Sequence, residues 1–122
     1  MAHSHEVGRT AEELAERHLV SRGYRILERN WYSGKREADI ICSRDTFLVL
    51  AEVKAFHHHR ITFIDEVVSR RQQRFLVDTA EAYLRLHPRL DLYIRFDVII
   101  VNFREKGFSI EHIEDAFYPE AE

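Results

Sequence analysis

The 122-residue chain is short of several things that would place it in familiar classes. Cys42 is its single cysteine, which excludes an internal disulfide and a cysteine-rich zinc site and fits a reducing compartment. No stretch approaches the roughly 20 apolar residues of a membrane span. The opening Met-Ala-His-Ser-His-Glu has no apolar run of the kind that directs secretion. Cytoplasmic residence without membrane association is therefore expected. Repeats and low-complexity tracts are absent too, so one domain over 1–122 is expected, with flexible ends at 1–5 and 118–122. A net charge of -3 supplies no global basic field, which argues against tight, indiscriminate binding to nucleic acid.

What is present is a globular pattern with local charge. Arg60, Arg70, Arg71, Arg74, Arg85 and Arg89 fall in one region, interleaved with His57, His58 and His59, enough for a basic patch on an otherwise acidic protein. Ala11, Leu14, Ala15, His18 and Leu19 recur at helical spacing. Thr10 and Glu13 have the form of a capping box, which sets the helix start near Thr10, with Ser4 the alternative, and Gly23 marks its end. Tyr24 to Leu27 reads as a short strand and Tyr32 to Lys35 as a turn. Strands follow at Glu37 to Cys42 and Phe47 to Lys54, joined through 43–46. A long helix over Asp65 to Leu86 carries Val68, Phe75, Leu76, Thr79, Tyr83 and Leu86 on one stripe. Gln72 falls on that stripe, so it faces inward and needs a polar partner. Pro88 closes the helix. Arg95 to Val101 is a buried strand and Phe108 to Ile113 an edge strand. Hairpins followed by a helical crossover predict an α/β fold, a mixed central sheet flanked by helices.

Asp39 and Glu52-Val53-Lys54 carry the chemistry. Phe47 to Ala51 is apolar throughout, as in a strand buried on both faces, so Glu52 and Lys54 stand where a core strand emerges. Two apart, they share a face. Asp39 joins them if the hairpin loop holds an even number of residues, because a one-residue slip sends it to the other side. Two carboxylates suffice for magnesium, which takes one or two and keeps several waters. An adjacent lysine could orient water or stabilise charge at a phosphate. On spacing alone, the plainer reading is a surface hairpin with solvated charges.

A wider series changes that balance. Gly8 with Glu12 and Ala15, Gly23-Tyr24 with Leu27, Arg29-Asn30, Glu37-Ala38-Asp39, Glu52-Val53-Lys54 and Arg95-Phe96-Asp97-Val98 together resemble the YraN-like family of small bacterial proteins. Asp39 with Glu52-Val53-Lys54 looks like the PD-(D/E)XK nuclease signature. The resemblance implies a restriction-endonuclease-like fold and a magnesium- or manganese-dependent endonuclease acting on nucleic acid, DNA before RNA, with branched DNA one substrate to consider. It makes Asp39 and Glu52 metal ligands and Lys54 the catalytic lysine, with Glu12 matching the family's first-helix glutamate. The plainer reading of Glu12 is an acid near a helix N-terminus, complementing the dipole. Glu37 assists the metal or serves structure. Gln72 and Gln73, with Arg70, Arg71 and Arg74, are the candidate substrate-binding residues. A homodimer is a further expectation, since two strands need two sites.

Departures from the family pattern keep a second reading open. Arg36 stands where glycine is common, Ala55-Phe56 where a hydroxyl residue and arginine usually follow, and Gln72 where a lysine is usual. Thr62 and Ile64 replace the customary glycine and proline. The alternative is a catalytically weak or inactive nuclease-fold module that binds nucleic acid or a protein partner. Among the remaining residues, His57, His58 and His59 cannot all face one ion from a regular strand and read as a solvated loop. Arg95 and Asp97 read as an ion pair, and Cys42 as a buried packing residue. Trp31 and Tyr32 either stack on bases or pack locally.

Overall fold

The computed structural model describes residues 2–57 and 63–118; the side chains of 2–5 lie outside that description. Its elements are α1 (Ala2–Ser21), β1 (Arg25–Ser33), β2 (Arg36–Arg44), β3 (Phe47–His57), a 3-10 turn (Ile64–Glu66), α2 (Arg70–Leu86), β4 (Tyr93–Phe103) and β5 (Phe108–Ile113). The strands lie side by side in chain order. β3 and β4 are parallel and the other neighbours antiparallel. A parallel pair needs a long crossover, and the segment carrying α2 provides it. The result is the expected α/β arrangement, a mixed sheet between two helices.

Alternation along the central strands sorts the core into two layers. Leu48 and Leu50 of β3 join Val98 and Ile100 of β4 under Leu76, Ala80 and Tyr83 of α2. Val49 and Ala51 join Ile99 and Val101 under Ala11, Ala15 and Leu19 of α1. Because β3 is covered on both faces, its sequence shows an unbroken apolar run instead of alternation. Cys42 is fully buried in the α1 layer as a free thiol, the packing role expected of it.

Three boundaries differ from the sequence expectation. α1 begins at Ala2, so Thr10 and Glu13 lie in its middle; a capping box needs a chain that leaves helical geometry before it, and here the helix simply continues. β1 runs to Ser33 and not only to Leu27. Its register shifts between Ile26 and Glu28, which breaks the period-two pattern by which a strand is recognised. α2 begins only at Arg70, after an extended N-cap at Ser69 whose hydroxyl accepts from the Gln72 N–H at 3.1 Å. Ser69-Arg70-Arg71-Gln72 has the spacing of a capping box and was the available signal. The β1–β2 and β2–β3 hairpins close on two-residue turns whose first residue has positive φ, Gly34 (63°) and Asp45 (54°), conformations that glycine and aspartate tolerate.

Candidate active site

The site arises where two strands part. The β2–β3 ladder runs from Arg44 opposite Phe47 to Ile40 opposite Ala51 and stops. Beyond that point β2 pairs with β1 and β3 with β4, so the two hairpin arms separate and leave a notch. Asp39 and Glu52 are the first residues past the split. The turn between the strands is shorter than the four residues expected, yet also even, so the register continued by one step sets Asp39 opposite Glu52. Asp39 also has no partner in the β1 ladder, which passes from Arg29 opposite Ile40 to Trp31 opposite Ala38. Asn30, which would face it, has a left-handed φ of 48°. In place of a ladder bond, the Val53 N–H donates to Asp39 Oδ2 at 2.8 Å.

The geometry sets two carboxylates against each other, Glu52 buried and Asp39 half-buried. Glu52 is 6% exposed. Burial pushes the Asp39 carboxyl well above the ordinary carboxylate range, and the negative charge of Glu52 beside it adds to the rise; the Val53 N–H opposes it. Burial likewise raises Glu52, against the pull of the Lys54 ammonium and a hydrogen bond with Asp39. Desolvation and like charge both disfavour ionisation. The two groups share a need for positive charge that the described residues meet only in part.

Lys54 and Gln72 form the α2 side of the notch. Lys54 Nζ lies 3.7 Å from Glu52 Oε1 and 3.4 Å from Gln72 Oε1. Gln72 Nε2 donates to Glu52 Oε1 at 3.0 Å. Gln72 therefore faces inward as its helical position predicts, and its polar partners are the two proposed reacting side chains. As an amide it does what the lysine usual at this position could not: it donates to the carboxylate and accepts from the ammonium at once.

On the α1 side, Asn30 Nδ2 donates to Glu12 Oε1 at 2.8 Å and to Glu37 Oε1 at 3.0 Å. Glu12 lies ten residues into α1, far from its first turn, so the dipole reading of this residue is set aside. Instead it lines, with Asn30 and Asp39, a cavity of about 170 Å³ between α1 and the β1–β2 hairpin. Asn30 is a residue the chemistry-based reading of the sequence passed over. Its one signal was type, since asparagine is among the few residues that enter the left-handed region readily.

The other candidates fall at different distances from the notch. Gln73 Nε2 donates to Asp65 Oδ1 at 2.8 Å and to the Val68 carbonyl at 3.0 Å, tying the start of α2 to the 3-10 turn. Arg70 Nε lies 3.4 Å from Asp65 Oδ2. Arg71 lies over the Phe75 ring at 5.3 Å, and Arg36 over the same ring at 4.6 Å; Arg74 is exposed on α2. Arg36 is also 2.9 Å from Asp78 Oδ2, so in this chain the position usual for glycine fastens the hairpin to α2. The ring of His57 lies 5.7 Å from that of Phe103; His58, His59 and Thr62 are outside the described residues.

Among the described residues, no group of three or more His, Cys, Asp or Glu side chains is placed to share one ion. The pair Asp39 and Glu52 fits magnesium or manganese nonetheless, since such ions accept two carboxylates and complete their shell with water. Both oxygen donors are hard, which disfavours softer metals.

A mixed sheet between two helices, with acidic residues where neighbouring strands diverge, is consistent with a restriction-endonuclease-like domain. Residues 11–101 match the family described as Uncharacterised protein family UPF0102. A UPF0102 protein of Phocaeicola vulgatus is 39% identical over 119 residues, 98% of each chain. One from Porphyromonas gingivalis is 40% identical over 96% of this chain and 87% of its own, and one from Clostridium beijerinckii 34% identical over 92% and 93%. The chain belongs to the UPF0102, or YraN-like, family. No helix among the described residues is long and apolar enough to cross a membrane.

Proposed function

We propose that the protein hydrolyses phosphodiester bonds in nucleic acid, DNA in preference, with Asp39 and Glu52 as ligands of a magnesium or manganese ion. The meeting of the buried Glu52 carboxylate and the half-buried Asp39 carboxylate at the head of the notch carries the reading. Their mutual repulsion is relieved when a cation lies between them, so the arrangement is more stable occupied than empty. A bound divalent ion would supply charge neutralisation at the phosphate and a more acidic water.

The remaining steps fall to the chain itself. Val53 N–H fixes the Asp39 carboxylate, Gln72 fixes Glu52, and Gln72 together with Glu52 holds the Lys54 ammonium beside them. Lys54 is 28% exposed at its side chain, open enough to meet a phosphate oxygen or a water. Arg71, next to Gln72 at the start of α2, adds positive charge that the backbone of a nucleic acid would meet. The test is cleavage of supercoiled, duplex, branched and single-stranded DNA by wild type and by Asp39→Asn, Glu52→Gln and Lys54→Ala. Wild type should cut with magnesium or manganese and all three variants should not, while circular dichroism shows them folded. Equal cleavage by all four proteins would overturn the reading.

One observation favours the alternative of a binding module. Gln72 occupies the space between Glu52 and Lys54 and engages both, where the family usually has a lysine. Nucleic-acid binding by wild type with no cleavage under any metal, and restored cleavage in Gln72→Lys, would establish that reading in place of the first.

A further inference from the structure

Tyr32 has an exposed aromatic face that the site described so far does not use. It stands opposite Glu37 near the tip of the β1–β2 hairpin, and it is 60% exposed. Trp31 beside it is directed to the other face and packs edge-on against Tyr83, ring centroids 5.1 Å apart. Of the two aromatic residues the sequence offers for base stacking, one is thus committed to packing and the other is open.

The open ring stands among acidic residues. Glu37 stands directly across the β1–β2 ladder from it, and Glu12 and Asp39 are its other charged neighbours. Glu37 and Glu12 are themselves joined through Asn30. With only two side-chain torsions, an exposed tyrosine loses little freedom on stacking.

Its position is set by the strand. Glu37 precedes Asp39 by two residues, which places Tyr32 roughly 7 Å along β2 from the head of the notch. Stacked nucleotides rise about 3.4 Å each, so the ring lies within about two nucleotides of a phosphate held there. Glu12 and Glu37 on the Tyr32 side repel phosphate, whereas Arg71 on α2 attracts it. The charge pattern sends the sugar-phosphate backbone to the α2 side and leaves a base to meet Tyr32. In an intact duplex both faces of that base are covered, and uncovering one costs a few kcal/mol.

We propose that Tyr32 is a stacking platform for an unpaired base beside the scissile phosphate, and that the site selects nucleic acid with unpaired nucleotides over continuous duplex. This rests on the nucleic-acid reading above. The test is fluorescence anisotropy in the Lys54→Ala background with magnesium, using a labelled 20-nucleotide single strand and a blunt duplex of the same sequence. Tyr32→Ala should weaken single-strand binding about tenfold, as loss of one base stack does, and change duplex binding less than twofold. Tyr32→Phe and Tyr32→Trp should keep the single-strand affinity. Unchanged single-strand binding in Tyr32→Ala, or equal loss on both probes, overturns the inference while leaving the nuclease reading standing. Failure of the Tyr32-intact protein to bind either probe overturns both. Thermal melts identify any variant that loses affinity by unfolding.

Discussion

Two buried acidic groups lie close together in the sheet and are treated in opposite ways. Asp97 of β4 pairs across the parallel ladder with Ala51, next to Glu52, yet it has everything a buried carboxylate needs. Arg95 donates to both its oxygens at 2.9 and 2.8 Å, His112 Nε2 lies 2.7 Å from Oδ2, and the Asp115 N–H donates to Oδ1 at 3.0 Å. Burial alone would raise this carboxyl, but the hydrogen bonds from His112, Arg95 and Asp115 outweigh it and hold it below the ordinary range. Asp39 and Glu52 face each other instead, with one lysine beside them, and both are raised. The first cluster is complete among the described residues and fastens the 112–117 segment to the sheet; the second is left short of positive charge there. A buried carboxylate left short of positive charge is a stronger sign of function than its burial.

The largest expected effect breaks the complete cluster. Asp97→Ala leaves Arg95 buried without its partner and should cost about 3 to 5 kcal/mol, read from urea denaturation. The next sharpens the difference in sign between the two sites. At Asp39 the folded state keeps a proton that the unfolded chain releases above about pH 4, so its contribution makes the metal-free protein less stable as pH rises. Asp39→Asn should flatten that slope and stabilise the metal-free protein at neutral and alkaline pH. Asp97 acts oppositely: its contribution is full above about pH 4 and is lost as pH falls through its lowered folded value. Stability measured from pH 2 to 9 in the two single variants separates these trends.

Smaller effects follow at α2. Manganese at 100 times its dissociation constant should stabilise wild type by about 2.7 kcal/mol and leave Glu52→Gln unmoved. Ser69→Ala removes the N-cap that presents Gln72 to the notch and should cost about 1 kcal/mol. If Gln72 positions Lys54 and Glu52 through that helix, Ser69→Ala should lower kcat more than it raises KM.

Much of the fold could be read from the sequence where burial leaves a period. Phe47 to Ala51 identified a central strand, the stripe from Phe75 to Tyr83 identified α2, and its period placed Gln72 inward, although Leu86 at the end of the stripe is exposed. What remained hidden is where polar residues interrupt the period for local reasons. Glu28, Arg29 and Asn30 conceal most of β1, since a bulge and a left-handed residue remove the alternation there. The site was legible in part: the parity of the hairpin brought Asp39 to Glu52 even though the turn is shorter than expected. Gln73 and Arg70, by contrast, are engaged with Asp65 because the break at Ser69 turns the start of α2 back on the 3-10 turn, which a continuous helix from Asp65 would not do. Asn30 as the link between Glu12 and Glu37 follows from its backbone conformation and could not be read from residue spacing.

The central claim is that Asp39 and Glu52 form an anionic site awaiting a divalent cation. Calorimetric titration of manganese into the protein at pH 7.5, repeated in buffers of different ionisation enthalpy, tests it directly. Wild type should bind one ion with release of about one proton, because ligand carboxyls must deprotonate to bind, and Glu52→Gln should lose both the binding and the release. No binding by wild type, or binding unchanged in Glu52→Gln, would contradict it.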